Sequence, residues 1–314
     1  MAENEHWERE LVTRLATAAL KEQRRARLWG IFFKLLTFAY ITVAVLLAFD
    51  WKGRPDITCG KKHTAMVDVS GIISPSSDAS AEKVMAALQA AFLDKNTQGV
   101  VVRINSPGGS PVQAQTIYDE MRRLRRKYPD IPLYAVVEDL CASGGYFIAA
   151  GADRIYVGKA SLVGSIGVLM NGFGFTGLMD KLGIERRLIT AGENKAFLDP
   201  FSPLEEKHRE FAKQLAGEIH QQFIGVVREG RGKRLKETPE MFSGLIWTGQ
   251  KSIELGLADA LGSLEYVARE VIKADEIVDF TQKENIAEKF ARRFGASAAS
   301  ALAEITLRYS PGIR

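Results

Sequence analysis

One apolar run near the amino terminus limits how this 314-residue chain can fold. Residues 28–49 are predominantly apolar and carry a single charge, Lys34. As a helix the run is about 33 Å long, enough to cross the hydrocarbon core of a bilayer. A cleaved secretion signal has a shorter apolar core and a small-x-small exit site, which residues 46–50 do not offer. We therefore predict a retained transmembrane anchor, with a buried core helix as the alternative.

The charges beside this run indicate its orientation. Residues 13–27 contain five Lys or Arg and residues 50–64 contain four, so the bias is slight. Cytoplasmic flanks are enriched in positive charge, and the tight basic group at 21–27 favours a cytoplasmic amino terminus. The predicted organisation is a cytoplasmic segment, the anchor, a linker, a globular domain and a tail, at residues 1–27, 28–49, 50–62, 63–280 and 281–314.

Composition excludes several classes of protein. Charged residues make up 25% and hydrophobic residues 46%, and the net charge is +4, all typical of a globular protein. A basic cluster at 122–127 has no aromatic platform beside it, which favours a solvated helix end over a nucleic-acid site. The two cysteines, Cys59 and Cys141, form no CxxC motif, which argues against a disulfide framework or a structural zinc site.

Strand-like and helical patterns alternate along the globular domain. Such alternation predicts an α/β fold with a largely parallel sheet covered by helices. A capping box at 202–205 predicts the start of a long helix, and residues 239–276 are predicted to be further helix. The predicted strands are 63–73, 99–105, 132–138, 154–157, 162–170 and 185–190, and helices are predicted at 80–93, after Ser110 and after Ser143.

Ser143 is the candidate nucleophile, in the sequence Ala142-Ser143-Gly144-Gly145 between a strand and a helix. Glycine permits a sharp turn and close approach of a substrate carbonyl, and a helix amino end presents N–H groups to developing negative charge. The motif alone is weak, because such tetrapeptides occur in many turns. Cys141 is an alternative nucleophile, although a small buried residue at a strand end explains it better.

A second strand-to-helix junction lies at residues 105–109, which end in Gly108-Gly109. The carboxyl ends of parallel strands meet at one edge of a sheet, where ligands usually bind. The backbone N–H groups of Gly109 and Gly144 are therefore candidates for an oxyanion hole. The alternative is that both junctions are ordinary turns.

The candidate general base is Lys195, in Gly192-Glu193-Asn194-Lys195-Ala196. None of the four histidines lies in a Gly-bounded loop of the kind that presents catalytic groups. A neutral lysine can deprotonate a hydroxyl, and the apolar flank at 196–198 favours the uncharged amine. Ser165, beside Gly164, is a candidate to hold that amine. A surface charge and a polar residue in a Gly-rich strand are the respective alternatives.

Four motifs in order resemble those of the signal peptide peptidase A family of membrane serine proteases. They are NSPGG at 105–109, ASGGYFIA at 142–149, VGSIGV at 163–168 and TAGENK at 190–195, supported by GLAD at 256–259. The resemblance covers residues 63–275 and implies a Clp-protease/crotonase-like fold with a repeated ββα core. It implies Ser143 as nucleophile, Lys195 as base, Ser165 as the lysine-positioning hydroxyl, and Gly109 with Gly144 as oxyanion hole.

The resemblance also implies a biological setting. This chain looks like the short, single-copy form, whose copies would gather into a homo-oligomeric ring. Expected substrates are apolar signal-peptide remnants at the bacterial inner membrane, cleaved on the extracytoplasmic side by a single-pass protein. The expected partners are therefore peptides, the lipid bilayer and further copies, with no nucleic acid and no metal or organic cofactor.

Three other functions stay open at this point. A related membrane protease acting in membrane-protein quality control would carry the same motifs. A crotonase-like acyl-coenzyme A enzyme shares the glycine oxyanion hole but generally places carboxylates at the reacting centre, where Glu138 and Asp139 are the nearest here. An inactive scaffold is disfavoured because Ser143, Lys195 and both glycine junctions occur together.

Overall fold

The computed structural model describes residues 21–25, 27–43 and 61–282, and the chain divides into two compact units. One unit contains helix α1 (Lys21–Val43), which is long and apolar enough to cross a membrane by length and composition. This helix begins before the predicted anchor, whose last residues, 44–49, lie outside the described part. Cys59, most of the amino-terminal segment and linker, and nearly all of the tail lie outside it as well.

The second unit, Pro55–Lys283, is built on one eight-stranded sheet. The strand order is β6-β5-β3-β2-β1-β8, while β4 also pairs with β3 and β7 pairs with β4. Every pair is parallel except β5 with β6, which confirms the predicted α/β class with a largely parallel sheet. The strands are β1 (His63–Ser70), β2 (Thr97–Ser106), β3 (Leu133–Ala142), β4 (Arg154–Val157), β5 (Leu162–Gly164), β6 (Ile246–Thr248), β7 (Ala260–Leu261) and β8 (Ile277–Asp279).

Seven further helices connect these strands. Helix α3 begins as its sequence predicts, because the Ser110 side chain accepts a hydrogen bond from the Gln113 N–H and proline occupies the first turn. The helices are α2 (Ala81–Leu93), α3 (Pro111–Lys127), α4 (Gly144–Ala149), α5 (Thr176–Leu182), α6 (Glu206–Arg231), α7 (Gly249–Glu254) and α8 (Leu264–Tyr266), the last continuing as a π-helical segment, Val267–Ile272.

The sheet is covered on both faces, which explains its continuous apolar strands. The larger core cluster includes Leu88 of α2 and Met121 of α3, both fully buried. A smaller cluster joins Val101 and Val136 to Val267 of the π-helical segment. Because successive residues of a strand face opposite sides, β2 buries neighbouring valines in different clusters. This packing holds the carboxyl ends of β2 and β3 in fixed positions.

Several predicted elements differ from the structure. The first predicted strand stops at Ser70, and the strand predicted at 162–170 stops at Gly164, because Gly164 and Ser165 have φ of 120° and 51°. Residues 185–190 form no strand and are all exposed. The region 239–276 contains β6 and β7 as well as short helices, since short apolar runs do not distinguish strand from helix.

The predicted capping box at 202–205 was also wrong. Helix α6 begins at Glu206, and its N-cap residue, Glu205, makes no side-chain capping bond. The Ser202 hydroxyl instead donates to the carboxylate of Asp199, 2.6 Å away. The Arg186 guanidinium binds the Asp199 carboxylate and holds it beside the serine. The carboxylate therefore competes with the helix end for the Ser202 hydroxyl. The serine therefore stabilises the preceding turn and leaves the helix end uncapped.

A buried ion pair fixes the segment 256–259 against α6 and β4. Arg231 is 1% exposed, and its Nη1 donates to Asp259 Oδ2 at 2.9 Å while its Nε donates to the Gly256 carbonyl at 2.8 Å. Asp259 also accepts from the Ile155 N–H of β4, at 2.7 Å. Burial alone would raise the pKa of the Asp259 carboxyl, but the hydrogen bonds from Arg231 and Ile155 and the charges of Arg231 and Arg234 together outweigh it and hold that pKa below its usual value. The pair thus joins α6, β4 and the GLAD segment.

Candidate active site

Ser143 occupies a strained turn between β3 and α4. Its φ of 52° and ψ of −121° are rarely adopted by residues with a side chain, and such strain clusters at functional sites. Its N–H donates to the Gly164 carbonyl at 2.8 Å, which fixes the turn against the end of β5. The side chain is half-buried, so it remains open to a substrate. A serine on a sharp strand-to-helix turn presents its hydroxyl outward, as serine nucleophiles do.

The two glycine junctions lie against each other, as the sequence predicts. A methyl group added to Gly108 would lie 2.7 Å from both the Gly144 nitrogen and the Ser143 Cβ, and one added to Gly144 would lie 3.3 Å from the Gly109 nitrogen. Among the described residues, no hydrogen bond occupies the N–H of Gly109 or of Gly144. Two backbone donors therefore stand beside Ser143 with no internal acceptor, as an oxyanion hole requires.

Ser106 holds the second junction in place, a role that the sequence analysis missed. Its side chain is fully buried, donates to the Gly71 carbonyl at 2.6 Å and accepts from the Gly108 N–H at 3.1 Å. On the other side of the junction, the Ile73 N–H donates to the Gly108 carbonyl, and the Ser110 N–H donates to the Ile73 carbonyl. These bonds orient the Gly109 amide. The serine within NSPGG was the available sequence signal.

Ser165 lies beside Ser143. Ala142 and Gly164 are partners in the parallel pairing of β3 with β5. Ser143 directly follows Ala142 and Ser165 directly follows Gly164, so the two serines leave the sheet side by side. Ser165 is half-buried and has a φ of 51°, and its N–H donates to the Leu245 carbonyl at 2.7 Å. The structure therefore brings together Ser143, Ser165, Gly109 and Gly144.

Lys195 does not join this group within the described residues. It sits in a hydrogen-bonded turn, in which its own N–H donates to the Gly192 carbonyl at 3.1 Å and the Phe197 N–H donates to the Asn194 carbonyl at 3.1 Å. Its side chain is exposed, and no hydrogen bond links it to Ser143 or Ser165 in the part of the chain that is described. The predicted base is therefore accessible but not paired with the predicted nucleophile.

Helix α6 explains this separation. His220 Nε2 lies 3.1 Å from the carbonyl of Ile166, next to Ser165, and His208 Nε2 lies 3.4 Å from Asn194 Oδ1, next to Lys195. Twelve residues separate the two histidines, which is about 18 Å along a helix axis. One helix thus binds both segments at distant points, and within one chain it holds the Ser165 segment and the Lys195 turn apart.

The segment that carries Lys195 lacks a core of its own. No residue between Gly167 and Lys207 is buried. Most of its large apolar side chains are exposed, and the most exposed are Leu169 (79%), Phe173 (81%) and Ile189 (95%). Monomeric soluble proteins rarely expose contiguous apolar surface of this kind, which marks contact sites for proteins or membranes.

Neither the alternative nucleophile nor a metal site is supported by the described residues near Ser143. Cys141 is fully buried, and that burial raises the pKa of its thiol, which disfavours the reactive thiolate. The interpretation as a small buried residue at a strand end is therefore preferred. Across the described residues, His, Cys, Asp and Glu side chains form no group able to hold a metal ion.

Comparisons with known proteins agree with this geometry. The model of peptidase family S49 matches residues 125–278, and the Clp protease model matches residues 64–161. The chain is 31% identical over 211 residues to the putative protease slr0021 of Synechocystis, covering 67% of this chain and 74% of that protein. It is 31% identical to the putative signal peptide peptidase SppA of Enterococcus faecium, covering 60% of this chain and 54% of that protein.

Another similar protein has an unrelated name. The chain is 47% identical over 177 residues to a Brucella melitensis protein named Na(+)/H(+) antiporter NhaA, covering 56% of this chain but 24% of that protein. The chain thus spans about a quarter to a half of the length of the first relatives. The S49 match includes Ser143, Ser165 and Lys195, while the Clp protease match includes both glycine junctions. The resemblance seen in the sequence is confirmed, and the chain belongs to peptidase family S49.

Proposed function

We propose that this protein is a serine endopeptidase in which Ser143 is the nucleophile and Lys195 the general base. The observation that carries the proposal is Ser143 on a strained turn, beside the unoccupied N–H groups of Gly109 and Gly144. An acyl-coenzyme A enzyme is not favoured, because the family match is to peptidases.

The reaction follows from the chemistry of these groups. Neutral Lys195 takes the Ser143 hydroxyl proton on its Nζ as Oγ attacks a peptide carbonyl, forming a tetrahedral oxyanion. The Gly109 and Gly144 N–H groups donate to that oxyanion, and each such donor stabilises a transition state by about 3–4 kcal/mol. The protonated lysine returns its proton to the leaving amine, which leaves an acyl-enzyme. Water, deprotonated by Lys195, then releases the acyl group.

The dyad forms between copies in this proposal. Because α6 contacts the Ser165 segment and the Lys195 turn through histidines about 18 Å apart along its axis, Lys195 is supplied to Ser143 by a neighbouring copy in this proposal. The apolar side chains at 169–204 would be covered by the same contact. A contact from one face of a copy to a different face of the next is heterologous, and it forms a ring when the rotation between successive copies closes. This supports the homo-oligomeric ring expected from the sequence.

The proposed location is the bacterial inner membrane. Helix α1 supplies a single span, the basic residues at 21–27 keep the amino terminus cytoplasmic, and the peptidase domain acts on the extracytoplasmic side. A domain tethered beside the bilayer meets apolar peptides there. We therefore propose signal-peptide remnants as substrates, in line with the printed name of the Enterococcus faecium relative.

Covalent labelling tests the nucleophile. A fluorophosphonate probe is expected to label the full-length protein once, at Ser143, and labelling should disappear in Ser143→Ala. Ser243→Ala is the matched control, because that hydroxyl only donates to the Glu240 carbonyl near the surface. Peptide mapping identifies the modified residue. Labelling that persists in Ser143→Ala would remove Ser143 from the mechanism.

Ser106→Ala tests the support of the oxyanion hole. Loss of the hydroxyl frees the Gly108 N–H and leaves the Gly71 carbonyl unpaired, so the Gly109 amide loses its orientation. The donor acts on the transition state, so we expect kcat to fall by about 10-fold to 100-fold, less than the 10²–10³-fold cost of deleting a donor outright. KM should change little. Steady-state hydrolysis of a fluorogenic peptide measures both constants, and an unchanged kcat would contradict the role.

A further inference from the structure

We propose that His208 is a positioning residue, which sets the location of Lys195 by anchoring the turn that carries it. The inference rests on the proposed function, since it assigns His208 a part in the same dyad. His208 does not touch the substrate in this proposal. It acts through the turn formed by residues 192–197.

Burial singles His208 out. It is 7% exposed and is the one buried residue between Gly167 and Gln222, a stretch that the structure describes throughout. Apolar side chains are far more often buried than polar ones, so a lone buried imidazole in an otherwise exposed stretch calls for a specific partner. That partner is the Lys195 turn.

Two contacts join the imidazole to this turn. His208 Nε2 lies 3.4 Å from Asn194 Oδ1, the geometry of an N–H donating to an amide oxygen. The Phe197 ring meets the imidazole edge to face, with centroids 5.6 Å apart at 87°, and Phe211 packs on Phe197 from α6. The two contacts flank Lys195, one residue before it and two residues after it. The turn is therefore held on both sides of the base.

The other contacts of the turn are weaker anchors. Lys207 Nζ bridges Glu193 and Glu205 at 3.2 and 3.0 Å, but all three side chains are about half exposed or more. Water and salt screen such pairs, which contribute little.

The residue that follows the turn has a strained backbone conformation. Leu198 has a φ of 56°, the left-handed region that disfavours a leucine. Without external contacts the chain would relax from this conformation and carry Lys195 with it. A displacement of about 1 Å in a catalytic group can cost about 100-fold in rate. Anchoring by His208 therefore has a measurable consequence for catalysis.

The test compares three variants of the full-length protein. His208→Ala removes both contacts, His208→Phe keeps ring packing without the donor, and His208→Gln keeps a side-chain N–H donor. We expect kcat to fall by about 100-fold in His208→Ala and His208→Phe, with KM unchanged. His208→Gln should recover most of the activity. Lys213→Ala, an exposed change on the same helix, is the matched control.

Three outcomes would overturn the inference: wild-type kcat in His208→Phe, a loss confined to KM, or equal losses in His208→Gln and His208→Phe. The number of active sites, titrated by the fluorophosphonate, normalises kcat, and thermal melting reports folding. Should His208→Ala not fold, the other two variants carry the comparison. Lys195→Arg assayed alongside separates the proposals, because activity in that variant refutes the dyad, whereas its inactivity beside a fully active His208→Phe refutes only the positioning role.

Discussion

Lys195→Arg is expected to lose peptide hydrolysis by on the order of 10⁴-fold, the upper range for loss of a general acid–base group. The guanidinium keeps a positive charge close to that of the ammonium, but it does not give up its proton in the working pH range. It therefore preserves charge while removing the base. Lys213→Arg is the matched control, because it makes the same exchange at an exposed site outside the Lys195 turn. Turnover by Lys195→Arg at the wild-type rate would remove this residue from the mechanism.

Mixing two inactive variants shows where the dyad forms. Ser143→Ala and Lys195→Arg are each expected to be inactive, but together in one ring they regenerate sites that take Ser143 from one copy and Lys195 from the next. Random assembly in equal amounts restores about one quarter of the wild-type sites in a closed ring of heterologous contacts. Refolding or coexpressing the two variants and assaying peptide hydrolysis measures this recovery. A mixture with no activity would mean that the dyad closes within one chain.

Asp259→Asn is expected to give the largest loss of stability. It leaves the buried Arg231 guanidinium without a counter-charge, and breaking a buried pair on one side costs about 3–5 kcal/mol in free energy of unfolding. Arg231 Nη2 already has no hydrogen-bond partner among the described residues, so the site has little capacity to compensate. For a domain of this size each kcal/mol lowers Tm by about 2–4 °C. Thermal melting by circular dichroism measures the shift.

The control for this prediction is a salt bridge at the surface. Glu237→Gln removes the carboxylate that Arg228 binds at 2.8 and 2.7 Å through two of its nitrogens, and both side chains are well exposed. Exposed pairs contribute little, so Tm should barely move. If Tm falls no further in Asp259→Asn than in Glu237→Gln, the role of the buried pair is contradicted.

The same pair predicts a dependence on pH. The pKa of Asp259 is lowered in the folded state, so its contribution to stability is fully present above the unfolded value, about 3.9. That contribution is lost as pH falls through the folded-state pKa, because the protonated carboxyl no longer pairs with Arg231. Wild-type protein should therefore lose stability below about pH 4, whereas Asp259→Asn should lose less over the same interval.

The sequence predicted the adjacency of the two glycine junctions well because both depend on local chemistry. Glycine pairs after buried strands imply sharp turns, and the parallel sheet places the carboxyl ends of β2 and β3 at one edge. The adjacency of Ser143, Ser165, Gly109 and Gly144 follows from that geometry. Ser106 escaped notice because its role depends on a contact with Gly71, more than thirty residues away, which no local pattern indicates.

Prediction failed where local pattern and tertiary contact disagree. Residues 185–190 have a strand-like pattern but pair with no strand of the described sheet, and all of them are exposed. His208 follows the helical pattern of α6, which hid its contact with Asn194. The capping motif at Ser202 was outweighed by Asp199, whose charge attracts the hydroxyl. In the last two cases a side-chain contact that the local pattern does not indicate decides the structure.

The bare segment between Gly167 and Lys207 has a consequence for when the enzyme works. If the dyad forms between copies, a newly made copy carries the nucleophile of one site and the base of another, with neither complete. Specific activity would then rise steeply with the density of copies in the bilayer and fall on dilution into detergent. The density of copies in the membrane would then control the activity, and isolated copies would be inactive without an inhibitor or a propeptide.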